Sequence, residues 1–138
     1  MTQALLLLSA VCSVLVAILH LYVVAKGPWA YRFFGAGEKL AKLAEQGSWA
    51  PALLTFGISV IFFVFAAYYL AAAGLLPRLP LFKTGLIGIA AIYSLRGAGI
   101  FPVLLMRKKF STFELWSSLI SLAIGLVHCG AAWLTLNP

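Results

Sequence analysis

Residues 81–106 read LFKTGLIGIAAIYSLRGAGIFPVLLM, an apolar run of membrane-crossing length with a single cation, Arg96, in its interior. An α-helix rises 1.5 Å per residue, so about 20 mainly apolar residues cross the hydrocarbon of a bilayer. Counted from its cytoplasmic end at 1.5 Å per residue, Arg96 lies at a depth of about 15 Å, near mid-membrane. A guanidinium there costs at least ~2.5 kcal/mol even on insertion scales. Its head must therefore reach a carboxylate, backbone carbonyls, water or a bound anion. That requirement predicts a helix with one face turned toward protein, and hence sister helices to receive it.

Three further stretches have the same character: about 4–25, 49–73 and 112–136. Each is bounded by punctuation, namely Lys26-Gly27-Pro28, Gly47-Ser48, the segment 74–80 and Arg107-Lys108-Lys109. The 138-residue chain is 64% hydrophobic and only 9% charged, against about 25% charged in a soluble domain. A soluble domain of this size still exposes about a third of its unfolded surface, so lipid must be the solvent for the excess apolar area. The expected fold is all-α: an integral membrane four-helix bundle of up-down-up-down connectivity, forming one transmembrane domain over residues 1–138. Short connections favour antiparallel neighbours. The first stretch lacks the basic n-region of a secretory signal, since it opens Met1-Thr2-Gln3, and is read as a retained helix.

The net charge of +7 arises from ten Lys and Arg against Glu38, Glu45 and Glu114. Nine of the ten cations sit at or between the ends of apolar runs, where they set topology and meet anionic lipid head groups. No basic stripe with interleaved aromatics exists outside those runs, so no nucleic acid partner is expected. The first and third loops hold seven Lys and Arg and the second holds Arg78 and Lys83. The positive-inside rule then places the first and third loops in the cytoplasm and both termini on the non-cytoplasmic side of the cell membrane.

The first loop, about 28–47, is long enough for structure of its own. Pro28 suits a first helical turn, and Trp29, Tyr31, Phe33 and Phe34 are expected at head-group level. Residues 38–46 read as a short amphipathic helix with Leu40, Leu43 and Ala44 on one face and Gly47 as its stop. This segment is expected to lie on the cytoplasmic membrane surface.

Polar positions inside apolar helices mark the faces that look at protein. The first helix offers Ser9, Ser13 and His20, with Cys12 beside them; the second offers Thr55, Ser59, Ala66 and Tyr69. The third is read with Gly85, Gly88, Ile92, Arg96 and Gly99 inward. The fourth carries Glu114, Ser118, Ser121, Gly125, His128 and Ala132, and a parallel row of small residues, Ser117, Ser121, Gly125 and Cys129, that permits close backbone approach.

Depth counting gathers Arg96, His20, Glu114, Ser118, Ser121 and Ser59 into one inward-facing pocket open to the cytoplasm. There Arg96 either pairs with Glu114 or Glu38 to hold the bundle, or receives an anionic or amphipathic, lipid-like ligand. His20 and His128 differ by about 15 Å in depth, so no shared metal and no cofactor are implied. Cys12 and Cys129 lie at similar depth, which allows a disulfide geometrically, although two core thiols are the simpler expectation.

No catalytic signature occurs: no phosphate-cradling glycine loop, nucleophile elbow or Cys-x-x-Cys, and no Asp to orient a histidine. Three functional classes follow. The first is binding or passage of an anionic amphiphile at Arg96, passage requiring a homo-oligomer or a larger membrane complex. The second is an accessory or scaffold subunit of such a complex. The third is a membrane-embedded enzyme using His20, Arg96 and Glu114 on a lipid substrate.

Overall fold

The computed structural model describes residues 1–106 and 111–137. Among these, all regular structure is helical: α1 Thr2–Lys26, α2 Pro28–Phe33, α3 Glu38–Glu45, α4 Ala50–Ala72, α5 Phe82–Ala98, α6 Ile100–Leu105 and α7 Thr112–Leu136. Four helical stretches are long and apolar enough to span a membrane, at Thr2–Lys26, Ala50–Ala72, Phe82–Pro102 and Thr112–Leu136. Arg107, Lys108 and Lys109, on which the charge count leans, lie outside the described residues.

The third apolar stretch is not one helix. Pro102 has no N–H to offer the Ala98 carbonyl, and its ring crowds that carbonyl, so the ladder breaks. The Gly99 N–H still bonds the Leu95 carbonyl at 3.0 Å, after which α6 takes over. Arg96 stands in the last turn of α5, and the apolar run continues through α6 to Leu105, nine residues or about 14 Å further at 1.5 Å per residue. Glycines close the helices that precede sharp turns. At the end of α4, Gly74 has φ 79°; its N–H bonds the Ala71 carbonyl at 3.1 Å and the Leu75 N–H bonds that of Leu70 at 3.0 Å. Gly47 ends α3 in the same way, with φ 77°, a conformation that L side chains disfavour.

The chain divides into two compact units, Met1–Cys12 with Phe65–Pro138, and Ser13–Val64. In the first, α5 and α7 meet at backbone distance. A Cβ on Gly97 would overlap the backbone of Leu122, lying 2.6 Å from its Cα, and one on Gly125 would lie 2.8 Å from the Ser94 nitrogen. The two glycines therefore serve as mutual notches. This contact turns the face Leu86, Ile89, Ala90, Tyr93 and Gly97 inward. The expected third stripe is thus corrected: Ile92, Arg96 and Gly99 are exposed, and Gly85 and Gly88 only half-buried. Arg96 directly precedes Gly97, so seating Gly97 on α7 swings Arg96 about 100° round the helix to the rim of that contact.

The core of this unit is aromatic. His128, fully buried, lies with its ring 4.5 Å from that of Tyr69 and 4.6 Å from that of Tyr93. The Tyr69 hydroxyl donates to the carbonyls of His128 at 3.2 Å and Leu86 at 3.3 Å, tying α4, α5 and α7 together.

In the second unit, Ser59 donates to the Ala17 carbonyl at 2.8 Å and Thr55 to that of Pro51 at 2.8 Å. Burial of Ser9, Ser13, Thr55, Ser59, Ala66, Tyr69, Ser118, Gly125, His128 and Ala132 follows the inward stripes expected for the first, second and fourth helices, whereas His20 and Ser121 are half-buried and Glu114 and Cys129, expected inward, are exposed. Ala30, Tyr31 and Ala41 form a small core with Val23, over which Phe34, Leu40 and Ala44 pack. Tyr31 is therefore not a head-group residue: it is 2% exposed and its hydroxyl lies 3.4 Å from that of Thr55, a long hydrogen bond. Trp29 and Phe33, whose rings stack at 5.2 Å, remain exposed.

Candidate functional site

Charge is scarce in this chain, so the positions of its three side-chain carboxylates decide what each cation can do. Two of them face Arg32. Its guanidinium donates to both oxygens of Glu38, at 2.9 Å each, and to both of Glu45, at 2.6 and 3.0 Å. The planar fork suits such bidentate pairing, and the cluster clamps α3 back onto α2. The side-chain hydrogen bonds from Arg32 hold the Glu38 and Glu45 carboxyls below the usual carboxylate range, and those same bonds, Glu45 first, raise the guanidinium above its ordinary value.

Glu114 is the third carboxylate, and it builds the start of α7. Its side chain accepts from the Ser111 N–H at 2.6 Å, while the Ser111 hydroxyl accepts from the Glu114 N–H at 3.1 Å. This reciprocal capping box satisfies two orphan donors of the helix end and places a negative charge at the positive pole of α7. The Ser-x-x-Glu pattern before an apolar run was legible in residues 111–114, and it outweighs the expected role of Glu114 as a pocket acid. The alternative pairings of Arg96 with Glu114 or Glu38 are likewise replaced by these contacts.

What Arg96 does contact is neutral. Its guanidinium donates to the Ser118 hydroxyl at 3.3 Å and the Ser117 hydroxyl at 3.5 Å. Both contacts are long against the 2.7–3.2 Å of ordinary N–H···O bonds, and they engage two of five donors. Ser117 itself donates to the Glu114 carbonyl at 3.1 Å, so it can only accept from Arg96. Ser118 is buried beneath, and the arginine side chain is exposed. The arrangement is a cation laid across α7 at the rim of the α5–α7 contact, open to whatever surrounds the protein.

Of the other residues expected at this site, Ser121 lies one turn further along α7 and is half-buried. His20 and Ser59 belong to the other compact unit, where each has a structural partner. The His20 Nδ1 lies 2.8 Å from the Val16 carbonyl and its ring packs on Phe62 at 5.1 Å, while Ser59 bonds the Ala17 carbonyl. The structure thus brings Arg96, Ser117 and Ser118 together, and gives Glu114 a different task. Ser117, expected in the packing row, thus joins the site; its i+3 spacing from Glu114 and its adjacency to Ser118 are the sequence signals for it.

Cys12 and Cys129 are free thiols, and Cys129 Sγ faces Ser94 Oγ at 3.6 Å. Among the described residues no group of three or more His, Cys, Asp or Glu is placed to hold a metal ion. Comparison with models of protein families, with curated proteins and with solved structures finds no match.

The Arg32 cluster carries a pH dependence with a definite sign. Carboxyls whose folded values lie below the ordinary 4.5 stabilise the fold at and above that value and lose their contribution as pH falls through the lowered one. The thermal midpoint in detergent should be higher for wild type than for Arg32→Gln at neutral pH, and the gap should shrink as acid titrates the two carboxyls through their lowered values. A gap that persists undiminished in acid would show that the carboxylates are not the source.

Proposed function

We propose that this chain is a four-span protein of the cell membrane, connected up-down-up-down, that binds the head group of an anionic amphiphile at Arg96, Ser117 and Ser118. Several features support membrane residence. Only 22–33% of each membrane-length apolar stretch is buried within the protein, and Leu15, Leu53, Leu95, Leu126 and Trp133 each expose 60% or more of their area. Lipid provides the solvent such surfaces require.

One observation carries the binding reading: every side-chain carboxylate is engaged elsewhere, while among the described residues Arg96 meets only two neutral hydroxyls at the edge of hydrogen-bonding range. A guanidinium about 14 Å from the end of α6, measured at 1.5 Å per residue, can extend along its own stem toward the head-group region. There a phosphate or carboxylate would find the exposed charged fork, backed by the Ser117 and Ser118 hydroxyls. The neighbouring exposed apolar surface, Leu95 above all, accommodates the hydrocarbon part of the same ligand.

The test compares Arg96→Gln and Arg96→Lys with wild type in phosphatidylcholine nanodiscs, with and without phosphatidylglycerol, reading lipid retention by native mass spectrometry. Arg96→Gln should lower the preference for phosphatidylglycerol roughly fivefold to tenfold. Stability in neutral lipid should change by less than about 1 kcal/mol, because only weak contacts to hydroxyls are lost. Arg96→Lys should retain part of the preference, keeping charge but not the fork. A variant that unfolds in neutral lipid, from a wild type with no preference, would assign Arg96 to holding the fold instead.

The orientation that accompanies this reading puts the Arg96 end of α5 and the α2–α3 segment on the cytoplasmic side. Single cysteines near Lys39 should be shielded from an impermeant reagent added outside intact cells, and those near Arg78 should react. The reverse pattern overturns the orientation.

A further inference from the structure

At the other end of α5, 13 residues or about 20 Å from Arg96 along the helix, the same compact unit holds a cavity of about 450 Å³ between the ends of α4 and α7 and the start of α5. Arg78, Phe82 and Lys83 line one side of it, and Ala72, Leu76 and Leu136 are among its apolar walls. The loop that shapes it is pinned rather than slack. The Tyr68 hydroxyl donates to the Pro80 carbonyl at 2.7 Å, and the Arg78 guanidinium lies 5.4 Å from the centre of the Phe82 ring, a cation–π contact that orients it.

Two cations at helix ends have an obvious local use, which is to meet the last carbonyls of α4. Here three of those carbonyls are already occupied. The Tyr69, Leu70 and Ala71 carbonyls accept from the N–H groups of Ala73, Leu75 and Gly74, and the Gln3 side chain donates to the Ala73 carbonyl at 3.0 Å. Acidic side chains do not answer the two cations either: none lines the cavity, Glu114 caps the opposite end of α7, and Glu38 and Glu45 are held by Arg32. The first turn of α5 contains no acidic residue and its N-cap makes no side-chain hydrogen bond, so its positive pole offsets part of the negative poles that the C-terminal turns of α4 and α7 bring to the same cavity.

We infer that this cavity is a second anion site, independent of Arg96, which takes a phosphate group between Arg78 and Lys83. The phosphate is that of a lipid head group or free phosphate, and the adjoining apolar wall favours the lipid form by receiving the first carbons of its glycerol and acyl portion. Placed at the end of α5 remote from Arg96, it faces the leaflet opposite to the one that Arg96 meets.

Three preparations separate the possibilities: nanodiscs of phosphatidylcholine alone, the same with phosphatidylglycerol, and the first with added inorganic phosphate. Hydrogen exchange over residues 74–83 reports occupancy. Phosphatidylglycerol should slow exchange there in wild type, and the double variant Arg78→Gln, Lys83→Gln should weaken the effect roughly 30-fold in apparent affinity, the sum of two surface cations at about 1 kcal/mol each. Ala72→Phe, which keeps both charges and fills the cavity, should weaken it comparably, whereas Arg96→Gln should leave it intact. Equal slowing by inorganic phosphate would identify the free anion as the occupant of the same site. Slowing by neither anion overturns the proposal, as does an Ala72→Phe protein that responds like wild type, since a simple surface patch needs no cavity.

Discussion

The contact of α5 with α7 is the constraint from which the geometry of the larger unit follows. Gly97 against Leu122 and Gly125 against Ser94 allow the two backbones to approach as closely as any Cβ would forbid. Helices this apolar gain little from the hydrophobic effect when lipid is their solvent, and close packing of small residues is then the attraction that such a contact offers. Once Gly97 is seated, the rotation of α5 is set. Leu86, Ile89, Ala90 and Tyr93 turn inward to meet Tyr69 and His128, and Arg96 is carried to the edge of the interface with Ser117 and Ser118 in reach.

Scarcity of acidic residues gives that rotation its chemical consequence. In a chain with three side-chain carboxylates, committing Glu38 and Glu45 to Arg32 and Glu114 to the start of α7 leaves the remaining cations without acidic partners among the described residues. The same distribution explains why both proposed anion sites lie in the larger unit and near opposite ends of α5. It also separates two uses of arginine. Arg32 forms a closed, bidentate clamp that stabilises a surface hairpin, whereas Arg96 and Arg78 are held by weak or aromatic contacts that an anion would strengthen rather than disrupt.

Long apolar runs and their glycine or proline boundaries were readable from the residues, because a helix of membrane-crossing length has few ways to hide its pattern. The expected second and fourth stretches, 49–73 and 112–136, are met by Ala50–Ala72 and Thr112–Leu136. Polar stripes located the buried faces of the first, second and fourth helices, where Ser59 or His128 has no better place to go. The rule failed on the third helix, where packing of Gly97 outweighed the burial of Arg96. A long basic side chain can satisfy itself from the rim, so its position does not report the inward face. Tyr31 was misplaced for a related reason: its ring looked interfacial beside Trp29 and Phe33, but the turn of α2 sends it against Val23 and Ala41. Glu114 serves a capping box instead of a pocket, and its three-residue distance from Ser111 is the sequence signature of that role.

The α5–α7 register can be tested by chemistry that needs no ligand. With Cys12 replaced by Ser, a Ser94→Cys substitution places a new thiol where Ser94 Oγ now lies 3.6 Å from Cys129 Sγ, close enough for a disulfide with modest adjustment. Mild oxidation in detergent should link that pair nearly completely, and an Ile92→Cys variant, on the exposed face of α5, should not link. Failure of the Ser94 variant to link, or linkage from position 92 instead, would mean that α5 is rotated otherwise and that Arg96 does not lie at the rim.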